Sequence, residues 1–461
     1  MRQKVIRKKF SVKTFKKRKP LNAYRMIALV FLAIIALGTF LLNLPIASRN
    51  GESYGILNSL FTATSAVCVT GLILRDTWTQ FSTFGIVVIM CLIEIGGLGF
   101  MSIASFLIFA FRKKANMTQE MAMATAFGND DFNSAARVQR NMLIGCFVIE
   151  GLGAVILFCC FIKDYGFFTS IGLGLFHSIS AFCNAGFDTF GFVSPGVGIS
   201  VYQTNPFVLI TIALLIIIGG IGFVVWDEII RIHKIKRLSL YTKLVLFATI
   251  FLLVVGTGLF LLIEWNNPLT IGNMSLGDKI LSAFFQSATT RTAGFAAIDQ
   301  ASLTPGGKAV TIWLMLIGGS SGSTAGGLKT VTFLVIMFFL ISRFRSKEEV
   351  KVFGRTIPHK QVYDALSIFA IMVSLAFIGG IVISSTCDCS FVDALYESVS
   401  AIATVGLTTG VTPNLSIAAK ILLIIYMYFG RVGILTISLG FFKASKAEAK
   451  IKYIETNLLI G

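Results

Sequence analysis

Four twelve-residue segments of this chain are copies of one pattern, and a device repeated four times in one polypeptide leaves few folds open to it. They read FTATSAVCVTGL from Phe61, FHSISAFCNAGF from Phe176, FFQSATTRTAGF from Phe284 and YESVSAIATVGL from Tyr396. The eleventh position is Gly71, Gly186, Gly294 and Gly406, each followed by a large apolar residue. These glycines stand 115, 108 and 112 residues apart, a period of about a quarter of the chain. A fourfold pore written into a single chain is expected, with an ion pathway along the repeat axis.

Composition places that device in a membrane. Hydrophobic residues make up 55% of the chain, charged residues 13%, and the mean hydropathy is +0.82. Uncharged runs suited to crossing a bilayer lie at 26–45, 81–93, 206–226, 244–263, 310–316 continuing at 331–341, 366–384 and 421–429, and 142–162, which carries Glu150, makes the eighth span. Between the two runs of each quarter lies a mixed stretch of about a dozen residues, too short to cross and long enough to dip in and return. The glycine-ended copies fall there. Non-helical backbone is tolerated at membrane depth only where protein or a water-filled path surrounds it, so the four stretches must converge.

The expected fold is an all-α integral membrane protein: four parallel helix/pore-loop/helix repeats around a pseudo-fourfold pore, with eight transmembrane helices and four re-entrant pore helices. The boundaries are a basic tail at 1–24, repeat 1 at 25–113, a surface linker at 114–140 and repeat 2 at 141–234. Repeat 3 with a gating loop follows at 235–344, a linker of similar helical composition at 345–361, repeat 4 at 362–445 and a tail at 446–461.

Net charge is +18, and its placement orients the chain. Eleven Lys and Arg fall within residues 1–25, and further basic residues cluster at 112–114, 231–243, 343–355 and 443–452. The alternate loops carry Glu52, Asp76, Asp164, Asp188, Asp278, Asp299 and Asp388. Basic residues concentrate on the cytoplasmic side of membrane proteins, which puts both termini in the cytoplasm of a multi-pass protein of the cell membrane. The basic tail reads as topology and attraction to anionic lipid rather than as a nucleic-acid site.

A permeating cation must exchange its water for ligands of similar energy, and rings of backbone carbonyls do this. Aiming consecutive carbonyls at one axis calls for a residue free to take positive φ, which glycine does at little steric cost. The expected filter is therefore Val69, Thr70 and Gly71; Asn184, Ala185 and Gly186; Thr292, Ala293 and Gly294; Thr404, Val405 and Gly406, with K+ at their carbonyls. A single glycine would as readily signal close helix packing. Four at matched positions point to the axis.

The second helix of each quarter carries another aligned motif: IGGLGF from Ile95, IGGIGF from Ile218, IGGSSGSTAGGLKT from Ile317 and FGRVGIL from Phe429. In the first two, small residues suit close helix packing. In the third, Gly318, Gly319, Ser320, Ser321, Gly322, Ser323, Thr324, Ala325, Gly326 and Gly327 form a run that no apolar helix sustains, so the helix should break there and can serve as a gate. The fourth puts Arg431 where the others have Gly97, Gly220 and Gly319; a guanidinium at this depth should face the path or a partner such as Glu94. Arg291 is expected to brace its filter segment through backbone hydrogen bonds. Glu94 and Glu150 sit in apolar runs with no legible partner.

The eight cysteines fall mostly in apolar runs and read as buried thiols, and His177, His233 and His359 fit no ligand spacing. A membrane enzyme would need a polar constellation that the sequence lacks, so no catalytic residue is assigned. A secondary cation transporter with a midplane site and alternating access is the nearer alternative, but its repeats would be inverted, whereas two spans per quarter keep one orientation.

At AVCVTGL, CNAGF, RTAGF and ATVGL, together with IGGLGF, the small-residue loop at 318–327 and GRVG at 430–433, the chain resembles the Trk/Ktr/HKT superfamily of potassium transporters. It is most similar to the membrane subunit of bacterial Ktr systems, over residues 25–445. The resemblance implies a homodimer with one pore per subunit, inward potassium transport, and Na+ as a candidate activator. It implies a cytoplasmic ring of nucleotide-binding (RCK-type) regulatory subunits, so ATP/ADP or NAD(H) would sit on that partner and no cofactor on this chain. The family's filter glycines map to Gly71, Gly186, Gly294 and Gly406, its gate loop to 318–327 and its pore arginine to Arg431. Four glycines match the potassium-preferring pattern. The short stretch before Met26 favours the Ktr branch over the Trk branch.

Overall fold

The protein is described here by a computed structural model covering residues 23–99, 132–232, 237–347 and 349–433. The basic tails and the first part of the 114–140 linker lie outside the described residues, as does His233. The fold is helical. In the first quarter α1 (Ala23–Asn43) and α4 (Thr83–Leu98) flank the short α2 (Ile56–Val67), with a single turn, α3 (Thr77–Gln80), before α4. In the second, α5 (Phe132–Tyr165) and α7 (Pro206–Ile221), extended by α8 (Phe223–Arg231), flank α6 (Phe167–Phe182). The third has α9 (Leu240–Glu264), short α10 (Leu276–Thr289), α11 (Pro305–Leu316) and α12 (Thr330–Phe344). The fourth has α13 (His359–Thr386), short α14 (Phe391–Ile402) and α15 (Ile417–Val432).

Local sequence sets the ends of these elements. Ser275 and Ser390 accept hydrogen bonds from the backbone N–H groups of Asp278 and Asp393, the reciprocal serine and acid spacing of a capping box at the start of α10 and α14. Pro206 and Pro305 occupy the first turns of α7 and α11, where a missing N–H costs nothing.

The first helix of each quarter contains an unbroken apolar span: Arg25–Asn43, Met142–Tyr165, Leu240–Glu264 and His359–Thr386 are long and apolar enough to cross a bilayer. The second helices differ from the uninterrupted spans that hydropathy predicts. Helix α4 ends at Gly99 (φ 78°), α7 bends by 92° into α8 at Gly222 (φ 102°), and α15 ends at Gly433 (φ 90°). The last glycine of each IGGLGF-type motif thus stops a helix by entering the left-handed region, as helix-terminating glycines do. Residues 345–361 also depart from the expected helix. Lys351–Val352 and Arg355–Thr356 pair as a small antiparallel hairpin, which buries Val350 and Val352 against α12 and α13.

Outward faces are apolar. Phe168 is 87%, Leu262 80% and Phe207 73% exposed, which suits hydrocarbon and not water. The polar residues are inside: Ser59, Thr64, Ser65, Ser178, Ser180, Gln286, Glu397 and Ser400 on the short helices are all buried. Each short helix packs on the second helix of the preceding quarter: α6 on α4, α10 on α7, α14 on α11, and α2 on α15. The last of these contacts joins the fourth quarter to the first. The four quarters therefore close into a ring with their short helices on the inside.

Candidate functional site

The twelve-residue copies meet at the centre of that ring. A methyl group added at Gly71 would stand 2.5 Å from the carbonyl oxygen of Ala185, one at Gly186 2.6 Å from that of Ala293, and one at Gly294 2.5 Å from that of Val405. One at Gly406 would run into the carbonyl of Thr70. The contacts run from the first copy to the second, third and fourth and back to the first, always from position eleven to position ten of the next. Four backbone carbonyls, one per copy, are thus interleaved with four glycines in a closed loop. The obstructing atoms are backbone and cannot swing aside, so these positions admit no side chain.

Each segment turns off its helix in the same way. The residue two before the glycine takes positive φ in every copy: Val69 at 56°, Asn184 at 59°, Thr292 at 70° and Thr404 at 53°. Three of the four are β-branched, and such residues pay of order 1–3 kcal/mol in this region, so surrounding bonds must hold them there. In copies one, two and four the next N–H reaches back to position five, from Thr70 to Ser65 O at 2.8 Å, Ala185 to Ser180 O at 2.7 Å and Val405 to Ser400 O at 2.8 Å. This is the helix-ending pattern normally built on glycine. The serine side chains add a second tie: Ser65 Oγ accepts from Gly71 N at 3.1 Å, Ser400 Oγ accepts from Gly406 N at 3.0 Å, and Ser180 Oγ donates to Phe187 O at 2.7 Å. In the third copy Thr289 Oγ1 donates to Phe295 O at 2.7 Å. The SA pair at positions five and six, visible in three copies of the sequence, is the signal for these braces.

Buried polar groups also tie the short helices to the segments beyond the glycines. His177 Nε2 accepts from Thr189 N at 3.4 Å, and Glu397 accepts from Thr408 Oγ1, Thr409 N and Thr412 Oγ1 at 2.5, 3.0 and 2.6 Å. Gln286 Nε2 donates to Gln300 Oε1 at 2.6 Å, which also accepts from Tyr396 OH at 2.9 Å, linking the third and fourth quarters. His177 thus acts as a brace for the second copy.

Between α11 and α12 the chain is non-helical from Ile317 to Lys329 and doubles back, with Gly318 N bonded to Leu328 O at 2.8 Å. The loop docks on the broken helix of the second quarter. Ser320 N and Thr324 N donate to Gly220 O and Gly219 O at 3.0 and 3.3 Å, and Gly322 O accepts from Phe223 N at 2.9 Å. Thr324 Oγ1 donates to Phe182 O at 3.1 Å, and a methyl group at Gly326 would collide with the Thr404 side chain. The loop is therefore wedged between the end of the second short helix and the fourth copy. Arg431 fastens it from the other side: its guanidinium donates to Thr324 O and to Gly96 O, and to Gly97 O at 3.0 Å. It thus bonds to backbone carbonyls rather than to Glu94.

A family model described as a cation transport protein, TrkH, matches residues 7–453. The chain belongs to the TrkH family. Within it, the potassium/sodium uptake protein NtpJ of Enterococcus hirae is 39% identical over 96% of this chain and 98% of its own length. The Ktr system potassium uptake protein B of Vibrio alginolyticus is 38% identical over 95% and 94%, and that of Bacillus subtilis 36% identical over 95% and 96%. The crystal structure of the potassium transporter TrkH from Vibrio parahaemolyticus shares the fold with a TM-score of 0.71, over 92% of this chain and 85% of that one, at 18% identity. This TrkH-family chain is accordingly a multi-pass membrane protein of a transporter class that carries out no covalent chemistry.

Other residues of this TrkH-family chain fall in places the sequence did not indicate. Arg291 turns away from its segment, and its Nη2 donates to Thr249 Oγ1 on α9 at 3.4 Å while Nε has no partner, so it ties copy three to the outer helix through a side chain and not through the backbone. Glu94 on α4 and Glu150 on α5 come together at Cys183, whose Sγ lies 3.6 Å from Glu94 Oε2 and 3.8 Å from Glu150 Oε1. Carboxylates 89 and 33 positions before Cys183 in sequence thus meet at the residue that precedes Asn184. The cysteines are less uniformly buried than their apolar surroundings suggest: Cys68, Cys146 and Cys183 are buried, whereas Cys91 and Cys159 lie on outward faces. The close-packing role expected of the paired glycines in the first two quarters holds, since a methyl group at Gly96 or Gly219 would collide with the carbonyl of Val67 or Phe182, and Gly430 meets the Ile402 carbonyl in the same way, each at position seven of its own copy.

Proposed function

We propose that this chain carries out potassium uptake across the cell membrane through one pore per chain, with Val69–Gly71, Asn184–Gly186, Thr292–Gly294 and Thr404–Gly406 as its selectivity filter. The observation that carries this reading is the closed, chain-ordered ring of position-ten carbonyls and position-eleven glycines. A ring of fixed carbonyl dipoles can replace the water of a cation stripped to pass it, and the surrounding braces keep it from collapsing onto a smaller ion. The names of the relatives, potassium uptake proteins B and a potassium/sodium uptake protein, favour the same cargo. In this reading eight helices span the bilayer and the four short ones are re-entrant. The loop from Gly318 to Gly327, with Arg431, closes the path below the filter. A homodimer controlled by a cytoplasmic nucleotide-binding ring, with Na+ as activator, completes the proposal. The deciding experiment is ion flux into liposomes containing the purified chain alone, with K+, Rb+ and Na+ compared. Saturable K+ and Rb+ entry that exceeds Na+ entry is expected, and equal passage of all three overturns the filter.

Orientation has a separate test. In a cysteine-free background, Phe10→Cys and Lys452→Cys should resist an impermeant thiol reagent applied to intact cells, while Ala301→Cys, exposed beyond the third copy, should react. Labelling of either tail from outside overturns the assignment of both termini to the cytoplasm.

The segment beyond the second filter glycine also makes uptake depend on pH. Burial first, and the neighbouring Asp76 second, push the Asp188 carboxyl up from the usual carboxylate range to about 7. A raised pKa means the negative charge is present above pH 7 and lost below it, so cation attraction at the outer end of the filter falls on acidification. Rb+ uptake at low external concentration should decline between about pH 8 and about pH 6 with internal pH clamped. Asp188→Asn should show the low rate at both pH values. An unchanged profile in that variant removes Asp188 from the pathway.

A further inference from the structure

Beside the loop, between it and α13, α14 and α15, lies a cavity of ≈ 210 Å³. Its polar wall is Lys329, Thr332 and Arg431, and its apolar wall includes Ile368, Met372, Phe429 and Val432. No carboxylate is among the described residues that line it. Lys329 Nζ donates to Ala325 O at 2.8 Å, and Arg431 donates to the carbonyls of Thr324, Gly96 and Gly97. Among the described residues only backbone carbonyls accept from these two basic side chains, which lie within a transmembrane fold where uncompensated charge is expensive and an anion would compensate it.

We propose that this cavity binds the carboxylate end of a single-chain fatty acid, with its oxygens between Lys329 and Arg431 and its first methylenes against Ile368, Met372 and Phe429. The apolar wall disfavours a fully hydrated anion such as phosphate, whereas a carboxylate can take the N–H groups that Lys329 Nζ and Arg431 Nη1 keep beyond their carbonyl partners. The volume falls below the roughly 300–1,000 Å³ of ordinary small-molecule pockets, too little for a headgroup with two chains. Ile371, one turn from Ile368 and 40% exposed, continues an apolar surface of α13 along which the rest of one chain can lie. The site concerns binding and stands whether or not the loop proves to be a gate.

The test uses the full chain, purified and stripped of lipid, with native mass spectrometry against oleate, oleyl alcohol and phosphatidylglycerol. A diazirine-bearing oleate locates the contact by peptide mapping. Oleate should be retained and crosslinked to peptides of α13 or α15, and oleyl alcohol should not be retained. Lys329→Gln should weaken oleate binding by about tenfold or more, the effect expected for one charge-assisted hydrogen bond, and Lys329→Arg should restore it. Ile368→Trp, which fills the apolar end and leaves both charges, should weaken it too, and decides the matter should Lys329→Gln fail to fold. Equal retention of oleyl alcohol overturns the proposal. So does oleate binding that is indifferent to both substitutions, or phosphatidylglycerol displacing oleate from the same peptides.

Discussion

Gly294→Ser will cost the protein the potassium preference proposed for it and lower K+ affinity for uptake by more than about tenfold. The residue sits at φ 80°, where an L-residue loses roughly 1–2 kcal/mol, and about 1.4 kcal/mol is already a factor of ten. The serine Cβ would also stand 2.5 Å from Val405 O, well inside contact distance, with Gly186 and Gly406 Cα both at 3.2 Å. Neither backbone can retreat without displacing the next copy, so the damage spreads round the ring and the distances that separate K+ from Na+ are lost. Uptake measured over a range of external K+, with Na+ as competitor, is the readout. Normal affinity and normal discrimination in serine variants at all four glycines would remove the filter from the proposal.

Arg431→Ala should raise flux and make it less dependent on the proposed regulatory partner. The guanidinium joins Thr324 O in the loop to the carbonyls at the end of α4, so its loss frees one side of the loop and removes a positive charge from below the ring. The ring itself keeps its own braces at Ser65, Ser180 and Ser400. Selectivity should therefore stay as it is while the open population grows, since a shift between states requires no change at the selective site. Deleting several residues of 318–327 is the harsher form of the same test, because the loop also supplies hydrogen bonds to Gly219, Gly220 and Phe223. Flux must be normalised to folded protein in the membrane. Lower normalised flux in both variants rejects the barrier.

Much of this arrangement is written in the chain. The four glycines could be picked out because they recur at one position after a short apolar stretch, and the loop at 318–327 because ten consecutive small residues cannot sustain a helix in hydrocarbon. Position nine was illegible. Val69, Asn184, Thr292 and Thr404 share no chemistry, and three of them ordinarily favour extended structure, so nothing local marks them for positive φ. The glycines that end α4 and α7 were read as packing residues, because a glycine that stops a helix and one that admits a neighbour look alike until the neighbour is placed.

Sequence alone determined that the chain is a helical membrane protein carrying one motif four times, since hydropathy and repeat period depend only on the order of residues. It also determined which residues had to be small, because a carbonyl ring and a helix break each exclude side chains wherever they occur. Tertiary structure alone decided the partners: Arg431 with Thr324 O 107 residues away, Glu94 with Cys183 across 89, and α15 with α2 across nearly the whole chain. Those contacts arise from closing the ring, and a long-range polar pair in a membrane interior is set by which groups are left facing each other once the apolar surfaces have turned outward.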